Sequence, residues 1–283
     1  MSGRLSVVGT PIGNLDDLTP RAARALRDAD VIACEDTRVA KVLLQRVAEL
    51  VGERPRARLV TYHARNERAR AAELVRRIAA GELVALTTDA GMPGLSDPGH
   101  RLVAACRDAG LRVEVLPGAS AVTTALVASG LPSARFVFEG FLPRTGAARR
   151  RRLEMLAREE RTIVLFESPH RVAATLAEAA EVIGVRRAAV ARELTKIHEE
   201  VVRGTLGQLA EQLAGERVRG EVTIVIEGIA QIEDAREPRE LAREVAGLIE
   251  GGDAKRDAIA AVAAARGVPK KVVYQAVLDH LAD

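Results

Sequence analysis

The sequence predicts an α/β protein of two lobes followed by a small helical tail. Three observations carry this. The first hundred or so residues alternate short β-branched runs with helical ones, which is the rhythm of a mainly parallel sheet covered on both faces. In the second half two strand-like runs lie too close together for a helix between them, so that sheet must be mixed. From Asp234 onward strand signals stop and alanine-rich helices begin. The expected division is 1–117 for an N-terminal α/β domain, 118–230 for a C-terminal α/β domain, and 234–283 for the helical, helix-turn-helix-like tail.

In chain order, strands are expected at 5–8, 31–34, 58–61, 83–87 and 113–116, and helices near 20–29, 39–50, 67–80 and 98–109. Thr19 before Pro20, Asn66, and Asp97 before Pro98 read as helix N-caps, and Gly110 closes the fourth helix. The stretch "LPGAS" at 116–120 marks the crossing between lobes. Beyond it come "ARFVFEGF", a basic helical run, the strand "TIVLF", a helix opened by Ser168 and Pro169, an antiparallel hairpin of 188–193 with 200–204, and "GEVTIVIEG". In the tail, "EGGD" breaks the helices at 250–253, and apolar residues flank "ARGVPK" at helical spacing, as a helix-turn-helix or a plain helical hairpin would require.

Composition narrows the function. With 48% hydrophobic and 29% charged residues, and no run near the roughly 18 apolar residues a membrane span needs, no membrane association is expected. "MSGRLSVVGTP" has neither the apolar core nor the cleavage site of a secretory signal, so a cytoplasmic protein is expected. Cys34 and Cys106 are too few and too far apart for a disulfide framework and read as small buried hydrophobes. The five histidines, 63, 100, 170, 198 and 280, are isolated, and no metal site is expected. A net charge of +3 with unevenly placed arginines allows a local basic surface, whereas 2% aromatics and no Trp leave little for base stacking. Any nucleic acid would be held mainly by its phosphates.

Three loops follow strands of the first domain at their carboxyl ends, the edge where open α/β sheets bind ligands: "GTPIGNL" (9–15), "CEDTR" (34–38) and "TTDAGMPGLSDPG" (87–99). None has the spacing of a dinucleotide or triphosphate cradle. In the third, Gly91 and Gly94 permit close backbone approach to a ligand, Pro93 and Pro98 stiffen the loop, and Asp89 offers a carboxylate with no lysine nearby. That suits a small ligand that is cationic or rich in donors. In "CEDTR", either Asp36 or Thr37 caps the next helix with Glu35 solvated, or one carboxylate lies over the substrate.

"VVGTPIGNLDDLTPRA", "ACEDTR", "TDAGMPGLSDPG", "LPGASA", "FEGFLPR", "FESPHR", "RELTKIHEE" and "GEVTIVIEG", in this order from about residue 5 to 228, resemble the RsmI family of ribosomal RNA small-subunit methyltransferases. The resemblance implies a two-domain tetrapyrrole-methylase-like (class III methyltransferase) architecture with S-adenosyl-L-methionine in the cleft. It also implies methylation of a cytidine 2′-hydroxyl in 16S ribosomal RNA, within the small ribosomal subunit, by a homodimer. Pro11, Asp89, Met92, Leu95, Ser120 and Ala121 would line the cofactor pocket, with Gly91 in the same loop and with Phe166 and Glu167 facing them. Glu35, Asp36, His170 and Lys196 are candidates to take the hydroxyl proton. Arg144, Arg149, Arg150, Arg151 and Arg152 become candidates for RNA phosphates. A porphyrin-precursor methylase and a non-enzymatic nucleic-acid-binding protein are the competing readings; the former leaves the basic run and tail unused, the latter the three loops.

Overall fold

A computed structural model describes residues 3–229, 238–266, 268 and 270–280. It divides into two compact units, residues 1–229 and 230–283. Among the described residues no helix is long and apolar enough to cross a membrane.

The first sheet has five parallel strands: β1 (Arg4–Val8), β2 (Val31–Cys34), β3 (Arg58–Thr61), β4 (Leu83–Leu86) and β5 (Arg112–Leu116), in the order β3-β2-β4-β1-β5. The inner strands β2 and β4 read as unbroken apolar runs because both faces are covered. Leu5, Val7 and Ala33 point to α3 (Glu67–Ala79) and α4 (His100–Asp108), among Leu74, Ile78 and Leu102. Val8, Ile32 and Cys34 point to α1 (Pro20–Asp28) and α2 (Thr37–Val51), among Leu26, Leu43 and Val47. Both cysteines are buried, as expected, and burial pushes each thiol up to about 11.

Thr19 caps α1, accepting from Ala22 N, and Asp36 caps α2, accepting from Arg38 N. Two other expected caps do not form. Asn66 makes no cap bond and instead accepts from His63 N, tightening the preceding turn. Asp97 is not a cap either, because α4 starts at His100 after Gly99, whose φ of 154° places the turn beyond it.

The second sheet is mixed: β6 (Phe136–Phe141), β7 (Thr162–Glu167), β8 (Arg187–Arg192), β9 (Glu200–Thr205) and β10 (Val222–Ile226), in the order β6-β7-β10-β8-β9. Only β6 and β7 are parallel, and β8 and β9 form the expected antiparallel pair. Alternation sends Ile163, Leu165, Ile224 and Val190 toward α6 (Gly146–Leu156), α7 (Val172–Ile183) and α8 (Leu206–Leu213). Val164, Phe166, Val225 and Ala191 face α5 (Ala121–Ser129), and Ile12 of the first lobe packs into this same cluster. The start of α7 departs from expectation: Ser168 and Pro169 lie in a turn closed by Arg171 N to Ser168 O (2.9 Å), and the helix begins only at Val172. Where the lobes join, a Cβ on Gly118 would sit 2.6 Å from Gly9 O, so both positions need glycine for contact.

In the second unit α9 (Pro238–Glu250), α10 (Lys255–Arg266) and α11 (Lys270–His280) enclose a core of their own. Ile259, Val262, Val273 and Val277 pack there with Leu241 and Val245. The "QIEDARE" junction and the turn residues Gly267 and Pro269 lie outside the described residues, and with them the expected helix-turn-helix geometry.

Candidate active site

A cavity of about 370 Å³ opens where the carboxyl ends of β2 and β4 face β7 and β10. That is within the range of small-ligand sites. Its apolar walls are Ile12, Met92, Leu95, Ala121, Phe141 and Phe166. Phe166 is held by rings on one side of the sheet, Phe138 at 4.9 Å and Phe141 at 5.6 Å between centroids. Ser120 lies at the N-cap of α5 without spending its hydroxyl on the helix, and it faces the cavity beside Ala121.

The polar end is acidic. Glu35, Asp89, Asp97 and Glu221 all line it. Among the described residues no ion pair neutralises Glu35, Asp89 or Asp97, whereas Glu221 faces Lys196 at 3.6 Å. Burial raises the Glu35 carboxyl above its ordinary range, and the neighbouring Asp97 and Asp89 raise it further, with His63 and Thr88 opposing. Asp97 is raised first by burial and then by Asp89 and Glu221. Asp89 is likewise raised by burial, although it accepts the backbone N–H of Asp36 at 3.0 Å, which ties the third loop to the start of α2. Thr88 is only 5% exposed and lines the same end. Its hydroxyl closes no hydrogen bond of normal geometry, while lying near enough to Glu35 and Asp97 to offset part of their rise. A buried hydroxyl left open among unpaired carboxyls is a polar cradle lacking its complement.

Several expected site residues sit elsewhere or act differently. Asp36 points away to Arg38, whose guanidinium draws its carboxyl down to about 2. Lys196 is bound by Glu193 at 2.8 Å and by Glu221; burial lowers it, but the two carboxylates outweigh this and hold it as an ammonium. His170 lies in the turn before α7 and lines a separate open groove. Pro11 lines a smaller neighbouring pocket, and Ile12 takes its place in the cavity. Gly91 lines the cavity, yet its N–H and C=O are both taken by Thr10 (3.2 and 2.8 Å) and not left for a ligand; its φ of 78° is what requires glycine.

Glu167 is a cavity residue whose carboxylate is fully engaged. It accepts from Ser168 N (2.7 Å) and Thr175 Oγ1 (2.6 Å), pairs with Arg171 (2.5 Å), and faces Arg149 at 3.7 Å. This corrects the expectation for Arg149 as well. It is buried, donating to Glu178, Thr175 and the Pro143 carbonyl, and cannot reach RNA. Arg152 is paired with Glu139, and Arg150 with Glu154 and Glu181. Of the five arginines, Arg144 and Arg151 are exposed and have no ion-pair partner among the described residues. Sequence reasoning missed Asp97 as a cavity carboxyl, since Asp before Pro-Gly has the signature of a cap, and missed Thr88 and Glu221, which nothing in their local pattern distinguishes.

Fold and cavity together define a methylase of the tetrapyrrole type: the family model for Tetrapyrrole (Corrin/Porphyrin) Methylases matches residues 4–210. Among solved structures, uroporphyrin-III C-methyl transferase from Thermus thermophilus complexed with S-adenyl homocysteine shares the fold. Its TM-score is 0.56 at 23% identity, covering 80% of this chain and 97% of that one. Ribosomal RNA small subunit methyltransferase I of Mycobacterium tuberculosis is 50% identical over 280 residues, 98% of this chain and 95% of the relative. Its counterpart in Thermotoga maritima is 44% identical over 226 residues, 80% and 99% of the two chains. The chain belongs to the ribosomal RNA small subunit methyltransferase I family, within the tetrapyrrole methylases. It is a methyltransferase, and its cofactor is S-adenosyl-L-methionine.

Proposed function

We propose that this enzyme methylates the ribose 2′-hydroxyl of a cytidine in 16S ribosomal RNA, acting on the small ribosomal subunit in the cytoplasm as a homodimer. The relatives' names support ribosomal RNA as substrate. The observation that carries the chemistry is the cavity itself, apolar along one side and lined at one end by Glu35, Asp89 and Asp97, which have no ion-pair partner among the described residues. Such a site fits a cofactor with an adenine ring and a positive charge. Asp89, Met92, Leu95, Ser120, Ala121 and Phe166 would hold it, and Glu167 would act through its arginines to keep the Phe166 strand end in place. When bound, S-adenosyl-L-methionine supplies a methyl group on cationic sulfur.

The protein's own tasks are to orient the hydroxyl, exclude water and receive its proton. Asp36 and Lys196 are committed to other partners and His170 is outside the cavity. Glu35, with Asp97 beside it, is the acceptor this geometry favours: a carboxyl raised above its ordinary range is a stronger base once ionised. Labelled cofactor offered with small ribosomal subunits, naked 16S RNA or a porphyrin precursor tests the reading. Label should enter the RNA and be recovered, after digestion, as 2′-O-methylcytidine. Label on a base or on the porphyrin overturns it, and light scattering checks the dimer.

A further inference from the structure

Two arginines outside the basic run lie close to the cavity. The segment joining α8 to β10 reads Gly215-Glu216-Arg217-Val218-Arg219-Gly220-Glu221. Val218 is buried in the core of the second sheet, while Arg217 and Arg219 on either side are exposed. Neither has an ion-pair partner among the described residues. A tight turn closed by Val218 N to Glu216 O (3.1 Å) puts Arg217 at its apex, and Arg219 follows on the far side of the buried Val218. The segment is also held firmly. Glu221 N donates to Glu193 Oε1 at 3.3 Å, and that carboxylate fills the space a Cβ on Gly220 would need; Gly220 also sits at φ 80°, so glycine is required there on both counts. Gly220 and Glu221 line the main cavity. Arg217 and His170 line the open groove of about 410 Å³, which meets the cavity at Pro169, a wall of both.

We infer that Arg217 and Arg219, with His170 across the groove, bind the RNA phosphodiesters flanking the target ribose, and that the groove carries the strand into the cavity. The contact is to phosphate and not to bases: among the described residues the guanidiniums have no ion-pair partner, and Glu216 is the one carboxylate lining the groove. This rests on the reading of ribosomal RNA as substrate. The test measures binding of the full-length protein to small ribosomal subunits across a salt series, with cofactor affinity followed by calorimetry. For R217A/R219A, two lost phosphate contacts should lower the slope of log K against log salt by about 1.4 to 1.8 and leave cofactor affinity as in the parent. R217K/R219K, which keeps both charges, should restore most of that slope. A parental slope in R217A/R219A, or a loss of affinity without a change in slope, overturns the inference. A parent protein that binds neither subunits nor their RNA overturns the substrate reading instead.

Discussion

The two walls of the cavity handle the same chemical group in opposite ways. On the second-sheet wall, Glu167 is buried and its charge is met by Arg171, Arg149, a hydroxyl and a backbone N–H. On the first-sheet wall, Glu35, Asp89 and Asp97 are less buried, act on one another and have no ion-pair partner among the described residues. A paired buried carboxylate is part of the structure, and removing it strands its partners. An unpaired cluster is a cost the fold carries, and it is relieved by what binds there. Stability should therefore reside in one wall and activity in the other.

Substitution at Glu167 should produce the largest effect on stability. Glu167→Ala leaves the buried Arg149 and the half-buried Arg171 without their shared carboxylate, and losing one partner of such a network costs on the order of 3–5 kcal/mol. Thermal unfolding should show a melting temperature lower by about 10 °C in a chain of this size. If the variant melts like the parent, the two walls do not differ as described. The opposite wall should respond in reverse. Glu35→Gln and Asp97→Asn each remove one of the cluster's three mutually repelling charges, so melting temperature should hold or rise while kcat falls by about 10²-fold, the usual contribution of a proton acceptor. Weakened cofactor affinity with kcat unchanged at saturation would make these carboxyls cofactor ligands instead.

The contrast also predicts a pH dependence. The folded-state carboxyls of Glu35, Asp89 and Asp97 lie above their ordinary range, so between the two the folded protein binds more protons than the unfolded chain. Their contribution to stability is fully present below the ordinary carboxyl range and is lost as pH rises through the raised values. A cationic ligand favours the ionised form, so affinity for S-adenosyl-L-methionine should increase with pH through that same window. Its demethylated product, with neutral sulfur, should respond less. Calorimetric titrations of both ligands over this range check the sign, and equal pH dependence for the two would detach the carboxyls from the sulfonium.

How much of this was legible in the sequence differs by wall. The strands and the mixed pairing of the second sheet follow from local signals: short β-branched runs alternating with helical ones, and a hairpin too short to hold a helix. The ligand edge is likewise fixed by where loops follow strands, which singled out Asp89, whereas Met92 and Ser120 came from the resemblance; all three line the cavity. Pairing between distant residues leaves no such trace. Arg149 is one of four consecutive arginines, and only the turn of α6 selects it to face Glu167 and Glu178 while Arg151 faces solvent. Asp97 looks like a cap because Asp-Pro-Gly usually opens a helix; here Gly99 takes the cap position and frees the carboxyl for the cavity.

The smallest expected effect separates the backbone of the third loop from its side chains. Gly91 sits at φ 78°, where an L-residue costs about 1–2 kcal/mol, but a Cβ there would meet Ile12 Cγ2 only at 3.5 Å, an ordinary contact. Gly91→Ala should therefore lower stability by about 1 kcal/mol, and it should reduce cofactor affinity only slightly, since the Gly91 N–H and C=O are already bonded to Thr10. A bulky branched residue is another matter, because it would press on Ile12 and through it on the apolar wall. Measured side by side, Gly91→Ala and Gly91→Val should share the strain and differ in cofactor affinity, with the valine variant weaker. Equal and large losses in both would mean that the loop backbone itself bonds the cofactor, and that the bridge to Thr10 opens when it binds.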